Sequence, residues 1–101
     1  MIARLWHGMT LTETADDYLA FLRERAVPDY RAVPGNISVH VMRRVEGRVT
    51  HFLVLTHWTS MDAVRAFAGA QAERARYYPE DTDFLLGFER DVVHYRVDEA
   101  A

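Results

Sequence analysis

The chain of 101 residues contains no cysteine. Disulfides, thiolate nucleophiles, zinc–cysteine sites and iron–sulfur clusters are therefore excluded. There is no lysine either: all 12 basic residues are Arg, which rules out a lysine Schiff base. Formal net charge is −3, so the basic footprint of a nucleic-acid binder is missing. No apolar run approaches the ~20 residues that cross a bilayer. The segment Met1–Trp6 is too short and too soon polar for a signal peptide. Nucleic acid and membrane are thus not expected partners, and a cytoplasmic location is the expectation.

What is there suits one core. Hydrophobic residues make up 50% and charged residues 27% of the chain, ordinary values for a globular domain. One domain is expected over 1–97, with a frayed tail over 98–101. Ile2–Gly8 reads as a first strand. A helix follows from about Thr14, a candidate N-cap, with Asp16 and Asp17 in its first turn. Ala15, Tyr18, Leu19, Leu22 and Ala26 recur at helical spacing, and Pro28 is expected to end or kink this helix. Val33-Pro34-Gly35-Asn36 is a turn signal.

Ile37, Val39 and Val41 alternate with Ser38, His40 and Met42, the two-residue period of a strand. Glu46-Gly47 is the expected hairpin turn into a strand over Arg48–Trp58. That turn sets Val41 against Phe52, Val39 against Val54 and Met42 against His51. One sheet face then carries Ile37, Val39, Val41, Phe52, Val54 and Trp58. The other carries His40, Met42, His51, Leu53, Leu55 and His57. Ser60 caps a second helix with Met61, Val64, Phe67 and Ala68 as its apolar stripe, stopped by Gly69. A further short helical segment is expected over 71–76, a loop over 82–87, and a last strand over Phe88–Val97.

This order, β-α-β-β-α-β, is the α+β ferredoxin-like arrangement: an antiparallel sheet with both helices on one face. The other face, with Met42, Leu53 and Leu55, would be bare in a monomer. A homodimer packed sheet on sheet buries it.

Trp6-x-Gly8, Pro34-Gly35-Asn36 and Thr56-His57-Trp58-Thr59-Ser60-Met61-Asp62 resemble the antibiotic biosynthesis monooxygenase family, of the dimeric α/β-barrel superfamily. Phe67-Ala68-Gly69 and Tyr77-Tyr78-Pro79-Glu80-Asp81 resemble a subgroup of it. The resemblance spans nearly the whole chain. It implies a pocket between sheet and helices, which some members use to oxygenate aromatic polyketides or quinols without metal or flavin. Other members cleave haem with a histidine on helix two as iron ligand. Helix two here has no histidine, which weighs against haem. The expected function is cofactor-independent oxygenation of a small aromatic or quinol-like substrate. The alternative is a non-catalytic, ligand-binding or stress-response barrel.

Cofactor-free oxygenation needs a base to form the substrate anion and an apolar slot for its ring. His51 is the candidate base, and Arg43 the candidate oxyanion stabiliser. Trp58 and Trp6 are candidates to stack the ring, Tyr18, Tyr77 and Tyr78 to bond a phenolate, and Phe67 and Phe84 to line the slot. Each has a structural reading too, as core filler, interface histidine or solvated hairpin charge. One difficulty is built in: His51 and Trp58 fall on opposite faces unless a bulge switches them. His40 is expected diagonal to His51, and His7 near His94 on central strands. No third ligand joins His40 and His51, so no metal site is expected.

Overall fold

The computed structural model describes residues 1–101. Four antiparallel strands, β1 (Ile2–Leu11), β2 (Asn36–Glu46), β3 (Val49–Trp58) and β4 (Val93–Arg96), stand in the order β2-β3-β1-β4. Three helices are formed: α1 (Ala15–Phe21), α2 (Val27–Arg31) and α3 (Met61–Ala68). This is the ferredoxin-like fold, with β3 and β1 central. β4 is an edge strand, so the expectation that His94 stands on a central strand fails. His7 approaches His51 instead, on the neighbouring strand β3.

The two-residue period of the central strands decides what each face carries. On β1, Arg4, Trp6, Gly8 and Thr10 are buried toward the helices, and on β3 Thr50, Phe52, Val54, Thr56 and Trp58 join them. Leu5, His7, Met9, His51, Leu53, Leu55 and His57 alternate with these and are half-buried on the open face. The hairpin is displaced from its expected register. Glu46 pairs with Val49, so Gly47 and Arg48 form the turn, and Val41 faces Val54 while Met42 faces Leu53. Moving the turn by one residue slides the pairing by two, which leaves the side chains from Ser38 onward on their expected faces. His40 consequently faces Leu55 and lies near His57, with ring centroids 6.2 Å apart, and not beside His51. The sole register shift lies between Asn36 and Ser38. It leaves Ile37 out of the expected buried set and 46% exposed.

Pro28 does not end the first helix. Proline lacks the N–H and crowds the carbonyl four residues back. The chain answers with a π-helical stretch over Leu22–Ala26, in which the Val27 N–H reaches back five residues to the Leu22 carbonyl. Helical structure then continues through Val27–Arg31, and the buried stripe Ala15, Tyr18, Leu22, Ala26 gains Tyr30. Thr14 stands at the N-cap of α1, but its hydroxyl bonds the Leu11 carbonyl rather than the helix. Ser60 does cap α3, accepting from the Ala63 N–H at 3.2 Å.

After Gly69 there is no second helical segment. The Val92 N–H bonds the Glu73 carbonyl and the Ala75 N–H the Arg90 carbonyl, each at 2.8 Å. Arg74 thus forms an isolated antiparallel bridge with Asp91, a non-local pairing that outcompetes local helical propensity. The last strand is correspondingly shorter than expected, beginning at Val93. A single 3₁₀ turn, Pro79–Asp83, lies within the covering segment.

Gly35 is where backbone geometry most restricts the residue type. Its φ is +93°, and a Cβ there would lie 2.6 Å from the Ala63 Cβ and 2.9 Å from the Thr59 hydroxyl. Gly35→Ala is expected to cost about 1–3 kcal/mol in strain and displaced packing, read as a lower urea midpoint. An unchanged midpoint would contradict the close approach of α3 to this turn.

Candidate functional site between the sheet and the helices

A small cavity opens between the sheet and the first helix. Trp6 and Val54 come from the central strands, Tyr18, Leu22, Ala26 and Tyr30 from the helical stripe, and Arg76, Tyr78 and Asp81 from the segment above. Its volume is about 20 Å³, space for roughly one water molecule. An aromatic ring enters only if the covering segment moves.

The Trp6 indole lies back over Gly8. A Cβ on Gly8 would fall 2.5 Å from the indole Cη2 and 3.1 Å from the Leu85 Cδ2. This gives the Trp6-x-Gly8 spacing a physical reason: two residues apart on one strand share a face, and only glycine leaves the indole room to lie flat. Tyr77 meets the Trp6 ring edge-on at 6.1 Å between centroids.

Tyr18 occupies the opposite wall. Its ring contacts Phe52 at 5.2 Å and Phe84 at 5.3 Å. The Tyr18 hydroxyl donates to the Asp81 Oδ1 at 2.9 Å, and the Tyr78 N–H donates to Oδ2 at 2.6 Å. Asp81 is 2% exposed. Burial pushes its carboxyl above the ordinary range and Glu80 adds to this, while the Tyr78 and Tyr18 bonds pull it partly back. Burial, with Asp81 beside it, pushes the Tyr18 hydroxyl far up, so Tyr18 stays a proton donor. Three contacts tie this segment to the first helix: Tyr18 to Asp81, the Tyr78 hydroxyl to Asp29 at 2.5 Å, and Arg25 to Glu80 at 3.3 Å.

Of the residues singled out in the sequence, Trp6, Tyr18 and Tyr78 line the cavity. Tyr77, Phe67 and Phe84 pack around it. Trp58 is fully buried behind it, edge-on to Tyr30 and tilted against Phe67, and its indole N–H donates to the Thr56 hydroxyl at 2.8 Å. His51 is not there. β3 carries no bulge, so His51 lies on the open face, its Nδ1 3.0 Å from the His7 Nε2. His7 in turn bonds Glu89 through Nδ1. Arg43 pairs with Asp16 at 2.6 Å. His51 and Arg43 do border a common open-face depression with His7, Met42, Arg44 and Leu53, but Trp58 does not reach it.

Sequence reasoning missed Tyr30, Arg4, Arg76 and Asp81. Tyr30 stands four residues beyond Ala26, but Pro28, expected to end or kink the helix, lies between them. Arg4 shares the period of Trp6 and Gly8, which places it inward. Arg76 and Asp81 arrive through the irregular segment, where spacing carries no signal.

The Tyr18–Asp81 bond yields a stability prediction. Tyr18→Phe leaves a buried carboxylate oxygen short of a donor, at a cost of about 1–3 kcal/mol. The bond holds the Asp81 carboxyl down, so it stabilises the ionised form. The cost of the variant is therefore full at pH 7 and shrinks as pH falls through the folded-state value of Asp81. Urea unfolding of both proteins at pH 7 and pH 4 checks this. A pH-independent difference would contradict the coupling.

The sequence model described as "antibiotic biosynthesis monooxygenase" matches residues 9–75, more than half of the chain. No curated protein matches the sequence. Among solved structures the chain is similar to MhuD, a haem degrader from Mycobacterium tuberculosis with two haems bound in its active site. The identity is 20% and the TM-score 0.63, over 100% of this chain and 99% of that one. It is also similar to a candidate antibiotic biosynthesis monooxygenase from Nitrosomonas europaea, 14% identical, TM-score 0.67, over 93% of this chain and 86% of that one. A third likeness is to a candidate monooxygenase of the same type from Bacillus cereus, also 14% identical with TM-score 0.67, covering 99% and 93% of the two chains. At these identities the structural likeness establishes the fold alone. The family match does more: this chain belongs to the antibiotic biosynthesis monooxygenase family.

Proposed function

We propose that the chain is a cofactor-independent monooxygenase of a small aromatic or quinol-like substrate, working as a homodimer. The observation that carries this reading is the cavity between sheet and helices, walled by Trp6, Tyr18, Tyr30 and Tyr78 and holding the buried carboxyl of Asp81, in a chain of this family.

We assign the base to Asp81 and not to His51, because His51 faces away from the aromatic cavity. A carboxyl raised by burial is a better base than an ordinary one. It takes a proton from an acidic phenol or activated C–H. The resulting anion passes one electron to dioxygen, and the radical and superoxide recombine into a C–O bond. The peroxide takes back the proton from Asp81 and loses water, leaving a carbonyl. Two hydrogens, the one Asp81 removed and the one left on the oxidised carbon, end in that water with one oxygen atom, and the carbonyl keeps the other. Trp6 and Tyr18 hold the ring and exclude bulk water.

The residues present do not fit haem in this cavity. No His, Cys or Met lines it, and the Tyr18 and Tyr78 hydroxyls are engaged by Asp81 and Asp29. Helix α3 carries no histidine. No step is routed through haem.

The dimer rests on the open face. Leu5, Met9, Leu53 and Leu55 are only half-buried there, Met42 is 41% exposed, and Val93 and Tyr95 extend the patch. Sheet-on-sheet pairing of two copies removes this surface from water. No helix is long and apolar enough to cross a membrane.

Oxygen uptake by metal-chelated protein with anthrone-, naphthol- and hydroquinone-type compounds should exceed the uncatalysed rate. Asp81→Asn should lower the rate constant kcat at least ~100-fold with the fold kept by circular dichroism. Uptake unaffected by this substitution would remove Asp81 from the base role. In light scattering the wild type should elute as a dimer and Leu55→Asp as a monomer. A monomeric wild type would remove the dimer.

A further inference from the structure

Two guanidiniums near Tyr30 lack a carboxylate partner. Arg4 is 1% exposed, yet it takes part in none of the chain's ion pairs. Its one hydrogen bond runs from Nη2 to the Arg74 carbonyl at 3.3 Å, and its Nε has no acceptor. A buried guanidinium stays charged and is costly to leave without a counter-charge. Arg76 lines the cavity and is likewise without a carboxylate, bonded through Nη1 to the Phe67 carbonyl at 2.8 Å.

The two guanidiniums converge. Their central carbons lie 5.5 and 4.9 Å from the centre of the Phe67 ring. Phe67 stacks on Tyr30 with centroids 4.4 Å apart, and Tyr30 lines the cavity. Burial pushes the Tyr30 hydroxyl up, Arg4 and then Arg76 pull it back, and the Asp81 carboxylate adds a smaller upward push. Trp6 adds a third donor: its indole Nε1 is buried without an acceptor. Asp81 forms no ion pair with either guanidinium; its oxygens accept from Tyr18 and Tyr78.

We infer that the cavity selects aromatic anions: a planar ring bearing a carboxylate, whose oxygens are received by Arg76 and the Trp6 indole N–H of the wall, with the buried Arg4 beside Phe67 adding positive charge. This rests on the reading above only in taking the cavity as the ligand site. Guanidinium forks match carboxylates in shape as well as charge. A carboxylate fixed at this end orients the ring against Tyr18 and Asp81 at the other.

The test is calorimetric titration at pH 7 with 2-naphthoate and its neutral isostere 2-naphthamide. Naphthoate is expected to bind at least tenfold more tightly. Arg76→Gln, with the fold checked by circular dichroism, should remove most of that preference, and Arg76→Lys should retain part of it. Equal binding of the two compounds overturns the inference, as does no binding of naphthoate, or a preference that survives Arg76→Gln. Tighter binding of 2-naphthol than of naphthoate also overturns it, and points to a phenol-selective wall. The oxygenase reading fails separately. Selective naphthoate binding with no oxygen uptake by any oxidisable aromatic leaves the anion site standing without the reaction. Oxygen uptake without anion preference does the reverse.

Discussion

The two-residue period of β1 and β3 divides this molecule into two chemistries. Even-numbered positions from Arg4 to Thr10 and from Thr50 to Trp58 are buried against the helices. Odd-numbered positions carry His7, His51 and His57 onto the open face. A strand cannot relax this division without a bulge, and β3 has none. The histidines, the usual bases at neutral pH, are thereby kept from the aromatic cavity. Inside it, the titratable groups are a carboxyl raised by burial and tyrosines held protonated, with Arg76 on the wall for charge.

The cavity depends on a second accommodation. The π-helical stretch before Pro28 keeps the helix going long enough to deliver Tyr30 to the same wall as Tyr18, Leu22 and Ala26. Without it, Phe67 would lose its stacking partner. The covering segment, by contrast, has little regular structure of its own. It is pinned by a few side-chain bonds, of which Tyr18 to Asp81 is buried and those from Tyr78 and Arg25 are exposed. Exposed pairs are worth little each. The segment is thus the part of the wall that can yield to a ring larger than a water molecule.

Much of this was legible in the residues. Alternation along Ile37–Met42 and Phe52–Trp58 gave the sheet and the correct faces, even with the hairpin displaced, because a two-residue slip preserves parity. The opposition of His51 and Trp58 followed from the same counting. The helical stripe found Tyr18 and Leu22. The reading stopped short where a local rule was overridden: at Pro28, by a π turn, and over 71–76, where pairing with 90–92 replaced a helix. Arg76 and Asp81 lie in or beyond that stretch, so no periodicity could place them. Arg4 was in view as an interleaved charge, yet a charged residue on the buried side of a strand runs against the usual sorting.

The account places the ligand on the helix face and not among the histidines. The most direct measurement is a titration of ¹⁵N-labelled protein with 2-naphthoate, following the indole N–H resonances of the two tryptophans and the ring resonances of His7 and His51. The account predicts a saturable shift of the Trp6 indole N–H with the histidine rings unmoved. Shifts confined to His7 and His51, with the Trp6 indole unchanged, would contradict it and put the site on the open face of the sheet.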